Sequence, residues 1–161
     1  MNIFKNFLPE EDFKKFKIEL FEKEFPWFYR DKQLYYVKND KTFYFSHGFI
    51  KDQTILSDYY KPYIEPILEK LKATSILEVR ANLLVNTGKK QKSVYHIDFP
   101  TFKNKTAILY MNTCNGFTSF EKNKNIPCEE NKIVIFNNGI KHAAVSQTDS
   151  KRRIVINFNY F

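Results

Sequence analysis

Two of the three histidines in this 161-residue chain stand where a metal site would need them. His96 and Asp98 are two residues apart in a segment typical of a strand, and alternate side chains of a strand project to the same face. His142 follows a turn-forming Asn-Asn-Gly at residues 137–139, which would bring a later strand back beside the first. Two imidazoles and one carboxylate leave part of a metal's coordination sphere open, as non-haem iron(II) requires for binding a co-substrate and O2. The pattern therefore predicts an iron site.

Other interpretations of these residues stay open. A His-x-Asp pattern with a distant histidine also occurs among core and surface residues that bind no metal. A four-ligand structural zinc site is disfavoured, because neither Cys114 nor Cys128 lies in the two histidine segments. With no secretory signal, both cysteines are expected to be reduced thiols, and the pattern assigns them no role. The third histidine, His47, is expected to be a loop or packing residue.

An arginine on the inward face of the last expected strand indicates an anionic ligand. Arg153 shares that face with Val155, Asn157 and Asn159. Burying a guanidinium is costly unless a carboxylate meets it, and the planar guanidinium matches a carboxylate with two hydrogen bonds. A dianionic ligand would satisfy Arg153, whereas Arg152 on the opposite face would be solvated. A slip of one residue would exchange the two arginines, so Arg152 is the alternative.

Further polar residues are candidates for the pocket or for substrate contact. Arg80 and Asn82 are two apart and share a strand face, which either lines the pocket or faces solvent. Tyr95, next to the first histidine ligand, and Asn159 complete this set. Lysines that flank the His-x-Asp segment would suit an acidic or phosphate-bearing substrate, although solvated loops have the same composition. These lysines are Lys89, Lys90, Lys92, Lys103 and Lys105.

The elements that must position these residues change character along the chain. Residues 1–74 predict an amphipathic helix from Pro9 to about residue 25, a hairpin, and a second helical region at 56–73. Pro62 and Pro66 predict that this second region is two short helices or starts near Lys61. The hairpin strands are expected at residues 33–37 and 42–45, and later strands at 76–85, 93–97, 106–111, 118–121, 132–136, 143–146 and 153–160.

These elements predict a mainly β protein with flanking helices. Residues 75–161 are expected to form a jelly roll, a cupin-like double-stranded β-helix that carries the metal site, supported by the helices and hairpin of residues 1–74. The length favours a single domain over residues 1–161. Without an apolar run of 18 residues or a signal segment, the chain is expected to be soluble, cytoplasmic (in the host cytoplasm if viral) and not membrane-bound.

The net charge of +8 is concentrated in the second half of the chain, where residues 81–161 hold 12 Lys/Arg against 5 Asp/Glu. A field of this sign would attract a nucleic acid, an acidic protein or a small dianion. Scattered lysines also serve solubility, and the charge alone does not separate these possibilities.

Several segments together resemble the 2-oxoglutarate oxygenases, most closely the prolyl-4-hydroxylase-like branch with its small microbial and viral members. The resemblance rests on the order and spacing of residues 95–98, 108–112, 115–120 and 131–136, of His142, and of Arg153 at the start of the last strand. It covers about residues 76–161.

The resemblance implies a role for each matched position. His96, Asp98 and His142 would bind Fe(II), Arg153 would pair with the distal carboxylate of 2-oxoglutarate, and Tyr110 would be the second anchor of that carboxylate. The co-substrate pocket would also be lined by Asn157. Many prolyl hydroxylases have lysine in place of the arginine, and the spacing from the second histidine is slightly longer here, which keeps Arg152 open.

The reaction implied is O2-dependent oxidation of a substrate C–H bond coupled to decarboxylation of 2-oxoglutarate. Asp98 favours hydroxylation over halogenation, because a halide would need that ligand position. Peptidyl proline is implied only by the family likeness, and other protein side chains, free amino acids and nucleobases stay open as substrates. A cupin-like metal enzyme that does not use 2-oxoglutarate would not need Arg153 and Tyr110 in the pocket. A non-catalytic basic module would bind nucleic acid in a salt-sensitive way without iron.

Overall fold

The structure, a computed structural model, describes residues 1–31 and 42–161 as two antiparallel sheets with two helices against the larger sheet. Helix α1 spans Glu10–Glu22 and helix α2 spans Glu65–Leu71, and a π-helical turn, Tyr60–Ile64, precedes α2. The strands are β1 (Asn2–Phe4), β2 (Phe28–Arg30), β3 (Tyr44–Lys51), β4 (Thr54–Ile55), β5 (Ile76–Val85), β6 (Lys105–Tyr110), β7 (Cys114–Phe120), β8 (Lys124–Cys128), β9 (Lys132–Asn137), β10 (His142–Val145) and β11 (Arg152–Tyr160).

The two sheets form the double-stranded β-helix that the sequence predicts. The larger sheet has the order β1-β9-β6-β11-β5-β3-β2, with β4 paired to β3, and the smaller sheet has the order β10-β7-β8. An inter-sheet core joins them: Ile108, Tyr110, Val134, Phe136 and Val155 from the larger sheet, and Cys114, Phe120, Ile126 and Cys128 from the smaller. A second, helix-side core lies on the opposite face of the larger sheet and includes Phe13, Phe16, Leu20, Ile67, Leu68, Ile154, Ile156 and Phe158.

Strand β11 separates these two cores by its alternation. It lies between β5 and β6, and its even-numbered side chains, such as Ile156 and Phe158, are fully buried against the helices. Its odd-numbered side chains face the smaller sheet, where Val155 joins the inter-sheet core and Arg153 lines a pocket. The expected face is therefore the observed one, and a slip of one residue would put the apolar row into the pocket.

Helix α1 begins after Pro9 with Glu10, Glu11 and Asp12, whose charges suit the positive end of the helix dipole. It ends at Glu22, a few residues earlier than predicted, because the next residue adopts an extended conformation and the chain turns into β2. The second helical region consists of two short helical pieces, the π-helical turn and α2, as the first of the two expected alternatives predicted. No helix in these two described stretches is long and apolar enough to cross a membrane.

The structure corrects the prediction of a strand at residues 93–97. This segment meets β10 only at two isolated bridges, Lys92 with Val145 and His96 with His142. Between them the Ser93 hydroxyl accepts the backbone N–H of Ala144, which replaces a ladder hydrogen bond and interrupts the pairing.

The strands β1, β2, β4 and β8 were not predicted. Each has five residues or fewer, and β1 is exposed along its whole length, so none carries a periodic apolar signal. Of the expected hairpin, residues 33–37 lie outside the described residues, and residues 42–45 reach into β3, which starts at Tyr44.

Candidate metal centre

Three side chains converge at one end of the space between the sheets. The Nε2 atom of His96 lies 3.4 Å from Asp98 Oδ1, and the Nε2 atom of His142 lies 4.0 Å from the same oxygen. One ligand atom from each residue falls within 4.8 Å of the others, which leaves room for one cation. The backbone bridge between the two histidines fixes this arrangement, since each donates its N–H to the other's carbonyl at 3.0 Å. The sequence-predicted ligands therefore form one cluster.

Hydrogen bonds to the backbone select the imidazole nitrogen that faces the cluster. The Nδ1 atom of His96 lies 3.0 Å from the Val94 carbonyl, and that of His142 lies 3.4 Å from the Ile140 carbonyl. A carbonyl can only accept, so Nδ1 carries the proton and Nε2 keeps a lone pair for a metal. Burial lowers the pKa of His142 below its ordinary value, which also favours the neutral, ligating form.

The two carboxylate oxygens of Asp98 have different partners. Oδ1 faces the histidines, while Oδ2 accepts a hydrogen bond of 3.1 Å from the Asn159 side chain. Asn159 is itself held by Thr106, whose hydroxyl donates to its Oδ1 at 2.8 Å. Burial opposes ionisation of Asp98, but in the metal-free protein a hydrogen bond from His96 Nε2 and nearby positive charge outweigh it and hold the carboxyl pKa well below its usual value. The same contact raises the pKa of His96 against the effect of burial, and a bound metal would take the place of that Nε2 proton. Asp98 is thus an oriented anion with one oxygen directed at the cluster.

A pocket adjoins the cluster between the two sheets. His96 and His142 form part of its wall, and Arg153 lies on β11 in the same wall. The remaining lining residues are Tyr44, Arg80, Asn82, Leu84, Ile108, Thr118, Ala144, Val155 and Asn157. Four apolar side chains, Leu84, Ile108, Ala144 and Val155, thus stand among a larger number of polar and charged ones beside a potential metal site, a composition that suits a small polar ligand.

Arg153 is buried without a carboxylate partner among the described residues. It is 2% exposed, its Nη2 donates to Thr118 Oγ1 at 3.2 Å, and its Nε has no hydrogen-bond partner. Its aliphatic stem runs directly over Gly116, where a Cβ atom would come within 2.8 Å of Arg153 Cδ. The chain therefore holds a buried guanidinium in place and leaves part of its hydrogen-bonding capacity free.

Tyr110 packs beside Arg153, with the guanidinium carbon 5.7 Å from the centre of the tyrosine ring. Its hydroxyl donates to Thr118 Oγ1 at 2.8 Å, and burial raises its pKa to about 12, so the phenol is protonated at neutral pH. Thr118 thus accepts from both Tyr110 and Arg153, and its own proton is free to donate toward the pocket. Tyr110 is not among the side chains that line the pocket, and its expected role as a direct anchor of the carboxylate stays a prediction.

Arg152 lies on the face of β11 opposite to Arg153, as expected, so the pocket arginine is Arg153. Arg152 is half-buried and not solvated, since it donates to the Phe21 carbonyl at 2.8 Å and lies over the Phe21 ring. Two other candidates lie outside the pocket. Tyr95 does not line the pocket, and its hydroxyl lies 2.9 Å from Ser119 Oγ. Asn159 orients Asp98 and does not line the pocket either.

Arg80, Asn82 and Asn157 do line the pocket, on the neighbouring strands β5 and β11, with Asn157 paired directly to Arg80. The side-chain oxygens of both asparagines and the Nε of Arg80 are buried without hydrogen-bond partners. Arg80 also pairs with Glu78 at 3.4 Å. The outward-facing alternative for this strand face is therefore wrong, and these groups are available to a ligand.

A wider groove continues outward from the pocket, and Tyr44 and Arg80 line both. Phe28, Ile55 and Leu56 form an exposed apolar wall of this groove. The third histidine, His47, packs there: its ring nitrogens lie 2.8 Å from the Pro26 carbonyl and from Ser57 Oγ, so it is a satisfied packing residue as expected.

Thr118 and Tyr44 are pocket residues that sequence analysis did not identify. Thr118 stood at the start of an expected strand, but a threonine in a strand carries no functional signal of its own. Tyr44 lies in the expected strand 42–45, but nothing in that short run marks which face its side chain would present. The flanking lysines do not line the pocket, and Lys92, for example, donates to the Tyr95 hydroxyl.

No protein-family model and no curated protein sequence matches this chain. Its fold is similar to that of a prolyl hydroxylase from Trichoplax adhaerens in complex with a hypoxia inducible factor peptide fragment, with 15% identity and a TM-score of 0.69 over 99% of this chain and 82% of that one. A Pseudomonas putida prolyl-4-hydroxylase is similar over 99% and 91% of the two chains, with 14% identity and a TM-score of 0.66. A 2OG-Fe(II) oxygenase family oxidoreductase from Burkholderia pseudomallei is similar over 97% of this chain and 81% of that one, with 6% identity and a TM-score of 0.68.

These similarities confirm the expected likeness to prolyl-4-hydroxylase-like oxygenases. They extend it from residues 76–161 to nearly the whole chain, including both helices. At such low identity they establish the fold, and the activity has to be inferred from the site.

Proposed function

We propose that this chain is an Fe(II)- and 2-oxoglutarate-dependent oxygenase. His96 and His142 would hold the iron through Nε2, and Asp98 would hold it through Oδ1. The donor set fits this metal, since two neutral imidazoles and one carboxylate suit iron(II) and leave coordination positions for a co-substrate and O2. The backbone carbonyls behind both imidazoles and Asn159 behind the carboxylate supply the outer hydrogen bonds that metal ligands usually have.

The observation that carries the proposal is the buried guanidinium of Arg153 in the wall shared with the metal cluster. A buried charge without a counter-ion is costly, and a carboxylate is the partner that a guanidinium binds best. A dicarboxylate with one end at the metal would place its other carboxylate against Arg153 and the free hydroxyl proton of Thr118. A metal enzyme that uses no 2-oxoglutarate would have no need for a buried arginine at this point.

When bound, iron and 2-oxoglutarate supply the oxidising chemistry, in which O2 cleavage is coupled to formation of succinate and CO2 and to oxidation of a substrate C–H bond. The chain's own residues orient the groups and exclude water. Leu84, Ile108 and Val155 give the pocket apolar walls, and the hydrogen bond from Tyr110 keeps Thr118 in position. Asp98 occupies the ligand position that a halide would need, which favours hydroxylation.

The prime substrate would approach through the outer groove, past Tyr44 and Arg80. The unpartnered Nε of Arg80 would donate to an acceptor on the substrate, and Asn82 lies beside it on the same strand face. An acidic small molecule or an acidic peptide fits these groups. The Trichoplax adhaerens neighbour was solved with a peptide, which supports a peptide as the first class to test.

The proposal is tested by anaerobic titration of the metal-free protein with Fe(II) and then 2-oxoglutarate, followed by optical spectroscopy. We expect the weak visible charge-transfer band of the chelate, and slow succinate formation when air is admitted. Arg152→Met is the matched control, which should retain the band, whereas Arg153→Met should require much more 2-oxoglutarate. Absence of both band and succinate in the native protein would contradict the proposal. An intact Fe(II) site without a 2-oxoglutarate response would favour a cupin-like enzyme instead.

A further inference from the structure

Cys114 and Cys128 lie directly opposite each other on the paired strands β7 and β8. In an antiparallel pair, opposed Cα atoms are about 4.5–5.5 Å apart, within the range of about 4.4–6.8 Å that a disulfide spans. Both side chains are buried in the inter-sheet core, and both are free thiols. The strand register therefore brings the backbones of the two cysteines within the span of a disulfide, next to an irregularity of the pairing between residues 114 and 117.

The surroundings of the pair are unusually polar for buried thiols. Arg153 lies close enough to stabilise negative charge on either sulfur, and Lys132, only 3% exposed, lies near Cys128. The Cys128 thiol has two acceptors in reach, the Asn112 carbonyl at 3.1 Å and the Cys114 sulfur. Hydrogen bonding with Cys128 is the main cause that lowers the pKa of the Cys114 thiol, and the Arg153 guanidinium adds to it. Cys114 is also the more accessible of the two, 8% exposed against 1% for Cys128, so it is the thiol that meets an oxidant first.

We propose that Cys114 and Cys128 form a reversible disulfide when the protein meets a hydroperoxide, and that this bond weakens co-substrate binding through Arg153. Formation of the disulfide goes beyond the proposed function and does not depend on it. The effect on binding rests on the proposed function, because it takes Arg153 to be the 2-oxoglutarate arginine.

The oxidation balances with hydrogen peroxide as the two-electron oxidant. The Cys114 thiolate attacks one peroxide oxygen, the O–O bond breaks, and hydroxide leaves to become water, which gives a sulfenic acid. Cys128 then attacks that sulfur, the S–O bond breaks, and the second oxygen leaves as water while the S–S bond forms. The two thiol protons end in the two waters. A dithiol reductant reverses the change.

The disulfide would act on Arg153 through the backbone of β7. It would constrain this strand at residue 114, two residues from Gly116, whose backbone lies so close to the arginine stem that a Cβ atom there would come within 2.8 Å of Arg153 Cδ. A shift of the guanidinium that costs one hydrogen bond to the ligand predicts that 2-oxoglutarate binds about 3- to 10-fold more weakly.

The first experiment measures the bond itself. The full, metal-free chain is treated with one to two equivalents of hydrogen peroxide, denatured, alkylated and analysed by mass spectrometry. We expect a loss of two hydrogens, a cross-linked pair of peptides that contain Cys114 and Cys128, and full reversal by dithiothreitol. The single variants Cys114→Ser and Cys114→Ala should show no such loss. Two alkylatable thiols after peroxide, or cross-links only between separate chains, would overturn the proposal.

The second experiment measures the consequence by calorimetric titration of 2-oxoglutarate into reduced and oxidised protein, each loaded with Mn(II) after peroxide is removed. We expect the weaker binding only in the oxidised native chain, and no effect of peroxide on a Cys114→Ala/Cys128→Ala variant. Equal affinity of the reduced and disulfide forms would overturn the link to Arg153. If the reduced protein binds no 2-oxoglutarate, the proposed function fails, and the disulfide is then judged by mass spectrometry alone.

Discussion

The two faces of the larger sheet differ sharply in how well their buried groups are satisfied. On the helix side, β11 contributes Ile154, Ile156 and Phe158, all fully buried and apolar. On the side toward the smaller sheet, the same strand contributes Arg153 and Asn157. Six buried side-chain atoms in the described residues have no hydrogen-bond partner, and four of them belong to pocket-lining residues, which are Arg80, Asn82, Arg153 and Asn157.

This difference separates what stabilises the fold from what binds a ligand. An unsatisfied buried polar group costs about 1–3 kcal/mol, so four of them together are a burden that the helix-side core has to offset. Such groups become favourable when a ligand supplies their partners. A strand with alternating faces can therefore contribute to stability through every second residue and to a pocket through the others.

The largest expected effect comes from removing the carboxylate of the metal cluster. Asp98→Ala takes away one of the three ligands and should weaken Fe(II) binding by more than about 100-fold, since even outer partners of metal ligands are worth about 10- to 100-fold. Anaerobic calorimetry and succinate formation measure this. Glu121→Ala removes an exposed carboxylate, close to the residue paired with His142, and should leave Fe(II) binding unchanged. Native-like Fe(II) affinity in Asp98→Ala would show that the metal lies elsewhere.

Adjacent residues of β11 test the division between the two faces most directly. Ile156→Ala opens a cavity in the helix-side core and should reduce the free energy of unfolding by about 3 kcal/mol. Asn157→Ala removes a side chain whose oxygen has no partner and should cost less than about 1 kcal/mol. Urea unfolding of metal-free protein measures both. Equal losses at the two positions would mean that the pocket face also contributes to folding.

The neighbouring arginines give a contrast of ligand binding with stability. Arg153→Met should weaken 2-oxoglutarate binding by roughly 30- to 100-fold, because a charge-assisted two-point contact is lost. Without 2-oxoglutarate it should be at least as stable as the native chain, because an unpaired buried charge has gone. Arg152→Met should bind 2-oxoglutarate normally and lose about 1 kcal/mol of stability, with its contacts to Phe21. Calorimetry and thermal unfolding separate the two, and reversed roles would identify Arg152 as the ligand residue.

The sequence predicts the jelly roll and the place of the metal cluster because both depend on simple periodicities. The face shared by Arg153, Val155 and Asn157 follows from the period of two in a strand, and that face is the observed one. The two histidines come together through the backbone bridge of a segment that is hardly a strand at all. The turn before His142 predicted that the segments carrying the two histidines would lie side by side. It did not predict that they would pair only at isolated bridges.

The features that sequence analysis missed depend on packing between segments far apart in the chain. Thr118 is important only because Tyr110 and Arg153 both reach its hydroxyl, and no local pattern encodes that meeting. Asn159 was expected in the pocket because it shares a face with Arg153. Its side chain instead donates a hydrogen bond to Asp98, which lies beside it. The strand face determines the direction in which a side chain projects, whereas its position along the strand determines which residues it contacts.

The smallest effect, and the finest test of this division, concerns Asn159 and Asn157. Both are on the pocket side of β11, but only Asn159 donates to a carboxylate of the metal cluster. Asn159→Ala should therefore weaken Fe(II) binding by about 10-fold, since Asp98 Oδ2 loses its donor and the carboxylate can rotate away from the metal. Asn157→Ala, measured without 2-oxoglutarate, should bind Fe(II) as the native chain does. If both asparagines contributed equally to Fe(II) affinity, the effect would come from general pocket polarity and not from orientation of the ligand.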